Sequence, residues 1–148
     1  LIVKFWNVYG IEKDMEKAHV ITDFIRKGFE TGVIDMMTDG TEAREFLYAE
    51  DCCEALESVM ENYDQLTSND ELHITTGSHT TILEVARIIQ RLFSNIEKDV
   101  VIQPAESKDE VQKDARNIPD PYIKKFWRSK TSLKKGITKV FEEMKKDY

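Results

Sequence analysis

The first ten residues constrain this chain most. Leu1-Ile2-Val3-Lys4-Phe5-Trp6 is a run of aliphatic, β-branched and aromatic side chains, and Asn7-Val8-Tyr9-Gly10 closes it on a turn. A run of this kind ended by glycine predicts a buried core strand that carries its last side chains into a loop. Core strands need neighbours, and nothing in the sequence precedes this one. The chain is therefore expected to start at a strand inside a larger fold. Its apolar surface over Leu1–Phe5 is expected to be exposed at that edge and to invite pairing with a second copy.

The rest of the chain alternates strand and helix patterns. Further strands are predicted at Val33–Met37, Glu45–Tyr48, Leu72–Thr75 and Asp99–Ile102. Helices are predicted from the three- and four-residue spacing of apolar positions. His19–Phe29 turns Val20, Ile21, Phe24 and Ile25 inward. Ala49–Tyr63 turns Ala49, Cys52, Leu56, Val59, Met60 and Tyr63 to one face, and Ile82–Phe93 and Leu133–Met144 repeat the pattern. Thr81 and Glu84 form a capping box, Asp51 and Glu54 a weaker one, and Thr131 or Ser132 caps the last helix. Ile11–Ala18 and the proline-containing stretch Pro104–Pro121 read as irregular, and long loops of this sort are often functional.

Charge and cysteine content narrow the class. A net charge of −7 opposes nucleic-acid binding, which rests on basic surface. The basic run between Lys124 and Lys146 reads as the wet face of the last helix and its lead-in. No apolar stretch approaches the roughly 20 residues of a membrane span. Cys52 and Cys53 are adjacent, so on a helix they point about 100° apart and are poorly placed to bridge. They read as small buried helix residues in a reducing, cytoplasmic setting. No metal-ligand spacing occurs.

Few residues stand out chemically. Tyr9 and Lys13 have Tyr-x-x-x-Lys spacing, but Gly10 lies between them and no helix pattern supports the span. His19 opens a helix after a loop leading from Asn7; it suits acid/base work near neutral pH, or it is an exposed helix-start residue. Arg44, at the edge of an apolar strand, either holds phosphate in a charge-assisted fork or forms a surface ion pair with a nearby Glu. Arg116 follows Asp114 within the irregular stretch. His73 and His79 read as structural residues of a strand and a loop.

Together these segments carry a resemblance. Asn7-Val8-Tyr9-Gly10, His19–Lys27, Asp39-Gly40 through Arg44–Tyr48 with Glu50-Asp51, Thr81–Ala86, and Trp127 with Lys130–Leu133 occur in the order and spacing of extended short-chain dehydrogenases that act on nucleotide sugars. The chain resembles the C-terminal part of the NAD-dependent epimerase/dehydratase family, and His19-Val20-Ile21 looks most like its epimerase/reductases of GDP-linked keto-sugars. The resemblance implies an α/β fold: part of a Rossmann-type sheet with a small mixed substrate-binding lobe. It implies that Asn7, Lys27, Arg44, Asp114 and Arg116 bind a nucleotide-diphosphate sugar and that His19 is the acid of an epimerisation. Met37 stands where that branch has Trp. The family's Gly-rich cofactor loop and helical Tyr-x-x-x-Lys do not occur in this sequence. Residues 1–148 are thus expected to be the substrate-binding portion of a longer enzyme that uses NAD or NADP. On their own they are expected to hold no cofactor and to be inactive. The other reading is a non-catalytic nucleotide-sugar-binding or interaction domain that completes a partner chain.

Overall fold

The computed structural model describes residues 1–66, 71–109 and 118–148. Among these residues, eight short strands and five α-helices follow in mixed order: β1 Ile2–Phe5, β2 Val8–Tyr9, α1 Val20–Glu30, β3 Val33–Asp35, β4 Ala43–Glu45, β5 Leu47–Tyr48, α2 Ala49–Glu61, α3 Tyr63–Leu66, β6 Glu71–Ile74, β7 His79–Thr81, α4 Ile82–Ser94, β8 Val101–Gln103 and α5 Leu133–Met144. Three strand pairs are parallel, β1 with β6, β2 with β5 and β3 with β8, whereas β4 and β7 are antiparallel.

Two apolar cores meet at β5. Phe46, just before it, and its own Tyr48 face one core with α1, α4 and α5, while Leu47 between them faces the other with Cys52, Ala55, Val59, Leu72 and Trp127. Successive strand side chains point to opposite sides, so one short strand divides the interior. α4 buries Val85, Ala86, Ile89, Leu92 and Phe93 on the face its periodicity predicts. Each of the larger of these side chains contributes about 1.5–3 kcal/mol by leaving water.

Some expectations are corrected. The opening run is a strand but not a buried one; its apolar surface is exposed, as expected at that edge: Ile2 is 61% accessible, Leu1 and Phe5 are also exposed, and only Val3 and Trp6 among its apolar residues are half-buried. Among the described residues, β1 pairs with β6 alone. The predicted Glu45–Tyr48 strand breaks at Phe46 into the ends of β4 and β5, and His79 lies in β7 rather than in a loop. α2 is rotated from its predicted face. It buries Asp51, Cys52, Ala55 and Val59, and leaves Leu56, Met60 (76% accessible) and Cys53 exposed; Tyr63, predicted on the same face, opens α3 instead and is also exposed.

Two helix starts are as expected and one differs. Thr81 caps α4, its hydroxyl accepting from the Glu84 amide at 3.2 Å, and Ser132 caps α5 by accepting from the Lys135 amide. Asp51 does not belong to a cap of α2. Its carboxylate turns inward and accepts from the Ser129 hydroxyl (2.5 Å), the Lys130 and Thr131 amides (3.0 and 2.9 Å) and the Thr131 hydroxyl (2.8 Å). It thereby ties the lead-in of α5 to α2.

Candidate nucleotide-sugar site

Asn7 joins β1 to β2 with a φ of 40°, a left-handed conformation that asparagine tolerates better than most residues. Its Nδ2 donates to the Glu45 carbonyl at 2.9 Å, and its own carbonyl accepts from the Leu47 amide at 3.1 Å. The turn is thus sewn to β4 and β5, leaving Oδ1 as the side chain's second polar atom. Tyr9, two residues on, packs in the core with its hydroxyl near the Leu133 carbonyl, and burial pushes its pKa far above the usual tyrosine value. Tyr9 and Lys13 therefore share no helix face.

A cavity of about 160 Å³ lies between this turn and the start of α1. Asn7, His19, Val20 and Arg44 line it. His19 is the N-cap of α1, but its side chain does not close the cap. Instead the Glu12 carboxylate, from the preceding loop, accepts from the His19 amide (2.9 Å) and pairs with the ring at Nδ1. Partial burial opposes the Glu12 charge, yet hydrogen bonds from the His19 ring, the Thr22 hydroxyl and the His19 amide outweigh it and hold its pKa below the usual range.

A second cavity, about 420 Å³, adjoins α1, the segment after β3 and the end of α4's lead-in; Val20 and Arg44 border both cavities. Lys27 lines it, bound to Asp23 (2.9 Å) and Asp35 (3.1 Å). Burial works against the Lys27 ammonium, but the two aspartates outweigh it and raise its pKa. Met37 is 90% accessible at the rim.

Arg44, in the middle of β4, reaches across to Asp109 with Nη2 at 2.7 Å. Its ion pair is with an aspartate of the distant irregular stretch, not with a nearby Glu. The Arg44 Nε is buried without a hydrogen-bond partner among the described residues. Segment 105–109 is positioned for this contact by bonds to the chain after β3: Ala105 amide to Thr38 carbonyl, Asp39 amide to Ser107 carbonyl and Ser107 hydroxyl to Met37 carbonyl. Next in β4, Glu45 points the other way into the interior, where the Thr75 hydroxyl (2.5 Å) and Thr76 amide (3.1 Å) donate to it. This bond set braces the strand that presents Arg44.

The fold thus brings Asn7, His19, Arg44 and Lys27 to two adjoining cavities. Asp114 and Arg116 lie outside the described residues. Glu12, Glu45 and Asp109 were missed by sequence reasoning. Each is an ordinary acidic residue in a charged stretch, and no local spacing marks its partner.

Comparison with known proteins defines the class. The model of the NAD dependent epimerase/dehydratase family matches residues 1–75. The chain belongs to this family. The GDP-L-fucose synthase of Sinorhizobium fredii is 29% identical over 143 residues, which cover 92% of this chain and 44% of that protein. Among solved structures, the epimerase Mth375 of Methanothermobacter thermautotrophicus superposes with a TM-score of 0.79 at 16% identity, covering 98% of this chain and 43% of the other. The UDP-glucose 4-epimerase of Thermotoga maritima, solved with UDP-glucose, does so with a TM-score of 0.75 at 25% identity, covering 98% and 45%. The fold is accordingly that of Rossmann-type epimerases and dehydratases. The chain spans less than half the length of these relatives.

The described residues hold no glycine-rich turn of the kind that seats a nicotinamide dinucleotide. Such a cofactor seats its pyrophosphate on a glycine-rich turn that opens a helix. Among the described residues, the long helices are opened by His19, Tyr48, Thr81 and Ser132, none of them in such a turn. No described helix is long and apolar enough to cross a membrane.

Proposed function

We propose that residues 1–148 form the substrate-binding portion of a nucleotide-sugar epimerase, dehydratase or reductase. The observation that carries this reading is the position of Arg44. It stands between two cavities, with Asn7 and His19 in one and Lys27 in the other. A diphosphate carries about two negative charges, and a guanidinium fork is well matched to it. In this reading Arg44 grips the diphosphate, exchanging its Asp109 partner for phosphate oxygens. Arg116, with Asp114, is assigned to the diphosphate and ribose by the family resemblance. Lys27 binds toward the far end of the ligand, and Asn7 offers its remaining Oδ1 to the sugar side. His19 gives a proton to the sugar during epimerisation. NAD or NADP takes part in the complete enzyme through residues other than these, so this chain alone binds the sugar nucleotide weakly and turns nothing over.

Calorimetry of the protein with GDP-, UDP- and dTDP-sugars tests the reading. The expected result is weak binding of one of them, reduced about tenfold or more by Arg44→Ala, the equivalent of a lost charge-assisted hydrogen bond. Tight binding of NAD or NADP by this chain would overturn the division of labour, and unchanged binding by the Arg44→Ala variant would remove the phosphate role.

A further inference from the structure

We propose that Glu12 is a positioning residue for His19: its carboxylate fixes the imidazole with the proton on Nδ1 and leaves Nε2 as the atom that exchanges a proton with bound sugar. The proposal deepens the acid/base reading of His19 and rests on it for its second half.

The geometry carries the first half. The two oxygens of Glu12 do different things. Oε2 accepts from the His19 amide at 2.9 Å, which fixes the main chain at the first turn of α1. Oε1 engages Nδ1 of the ring. A cap requires only the first contact. The second has a chemical consequence, because an ionised carboxylate is an acceptor only, so Nδ1 must donate. In a neutral imidazole the other nitrogen is then the unprotonated one, and in the charged form it carries the transferable proton. Carboxylates orient ring nitrogens in this way in hydrolytic and metal-bound histidines.

The setting supports a directed role. Glu12 is itself mostly shielded, with about a fifth of its side chain accessible, whereas the His19 ring is largely open and borders the cavity shared with Asn7 and Arg44. Nε2 has no hydrogen-bond partner among the described residues. An exposed ring would otherwise turn freely and lose both orientation and tautomer. The loop that delivers Glu12 is shaped locally: Asp14 accepts from the Glu16 amide at 3.2 Å and opens a short 3-10 turn at Met15–Lys17.

Nitrogen NMR of the histidine-labelled protein tests this, at a pH of about 8 where an ordinary imidazole is neutral. His73 and His79 serve as internal references. His19 is expected to show the Nδ1–H tautomer, and Glu12→Ala should return it to the mixture of a free imidazole, in which Nε2–H dominates. Glu12→Gln, which keeps one acceptor oxygen and the loop's shape, should fall between. Asp14→Ala, which loosens the same loop without touching the ring, should leave the His19 signals where they were. A wild-type ring in the Nε2–H form, or an equal change in the Glu12→Ala and Asp14→Ala proteins, overturns the positioning role. Adding the sugar nucleotide that calorimetry identifies should then shift the His19 ring nitrogens. Bound ligand with unmoved ring signals overturns the acid/base reading of His19, while the tautomer result still judges the Glu12 contact.

Discussion

At the scale of single residues, the site is a set of cations already held by carboxylates. Arg44 is paired with Asp109, and Lys27 with Asp23 and Asp35. These pairs keep the cations in place across the two cavities, and they also oppose an anionic ligand that must compete for the same donors. Asp109→Asn should therefore strengthen binding of a nucleotide diphosphate, by about tenfold if one charge-assisted contact is released to phosphate. Titration at two salt concentrations checks it, since the gain should shrink as salt screens the charges. The sequence shows Asn7, His19, Lys27 and Arg44 because each sits in a segment whose order and spacing resemble a family. It does not show Glu12 or Asp109, because a carboxylate seven or 65 residues away from its partner leaves no periodic trace.

At the scale of elements, helices were legible where apolar spacing was unambiguous and less so where polar residues decide the rotation. α4 buries its predicted face, whereas α2 is rotated because Asp51 turns inward to the Ser129–Thr131 segment. Apolar periodicity takes no account of Asp51; it predicts Leu56, Met60 and Tyr63 inward, and all three are exposed. Burial opposes the Asp51 charge, but the Ser129 hydroxyl and the Lys130 and Thr131 donors outweigh it, so its pKa is depressed. A depressed carboxyl contributes stability that is fully present above its unfolded value, about 3.9, and is lost as pH falls through the folded value. Thermal melts should show this acid-side loss, and Asp51→Asn should remove it while costing about 3 kcal/mol at neutral pH. Gly28 makes a related point inside α1. Alanine is favoured over glycine in a helix by about 1 kcal/mol. A Cβ at position 28, however, would lie 2.2 Å from the Phe93 ring of α4. Overpacking of about 1–3 kcal/mol should win, so Gly28→Ala is expected to lower the melting temperature despite its better propensity.

At the scale of the whole molecule, β1 is the exposed edge of the fold. Parallel strands are normally covered on both faces, yet among the described residues β1 pairs with β6 alone and exposes Leu1, Ile2 and Phe5. The protein is expected to self-associate through this edge in a concentration-dependent way, and Ile2→Lys should suppress it; a sedimentation profile independent of concentration in the wild type would refute the expectation. The sequence by itself determined the α/β class, the positions of the four long helices and the family, because these rest on local periodicity and on motif order, both of which are written along the chain. Only the tertiary structure decided how β5 splits two cores, why α2 turns Asp51 inward, and that Arg44 stands between two cavities with Asp109 on its guanidinium. Those features depend on contacts between residues far apart in sequence, whose energies come from burial and charge pairing in the folded state and have no local signature.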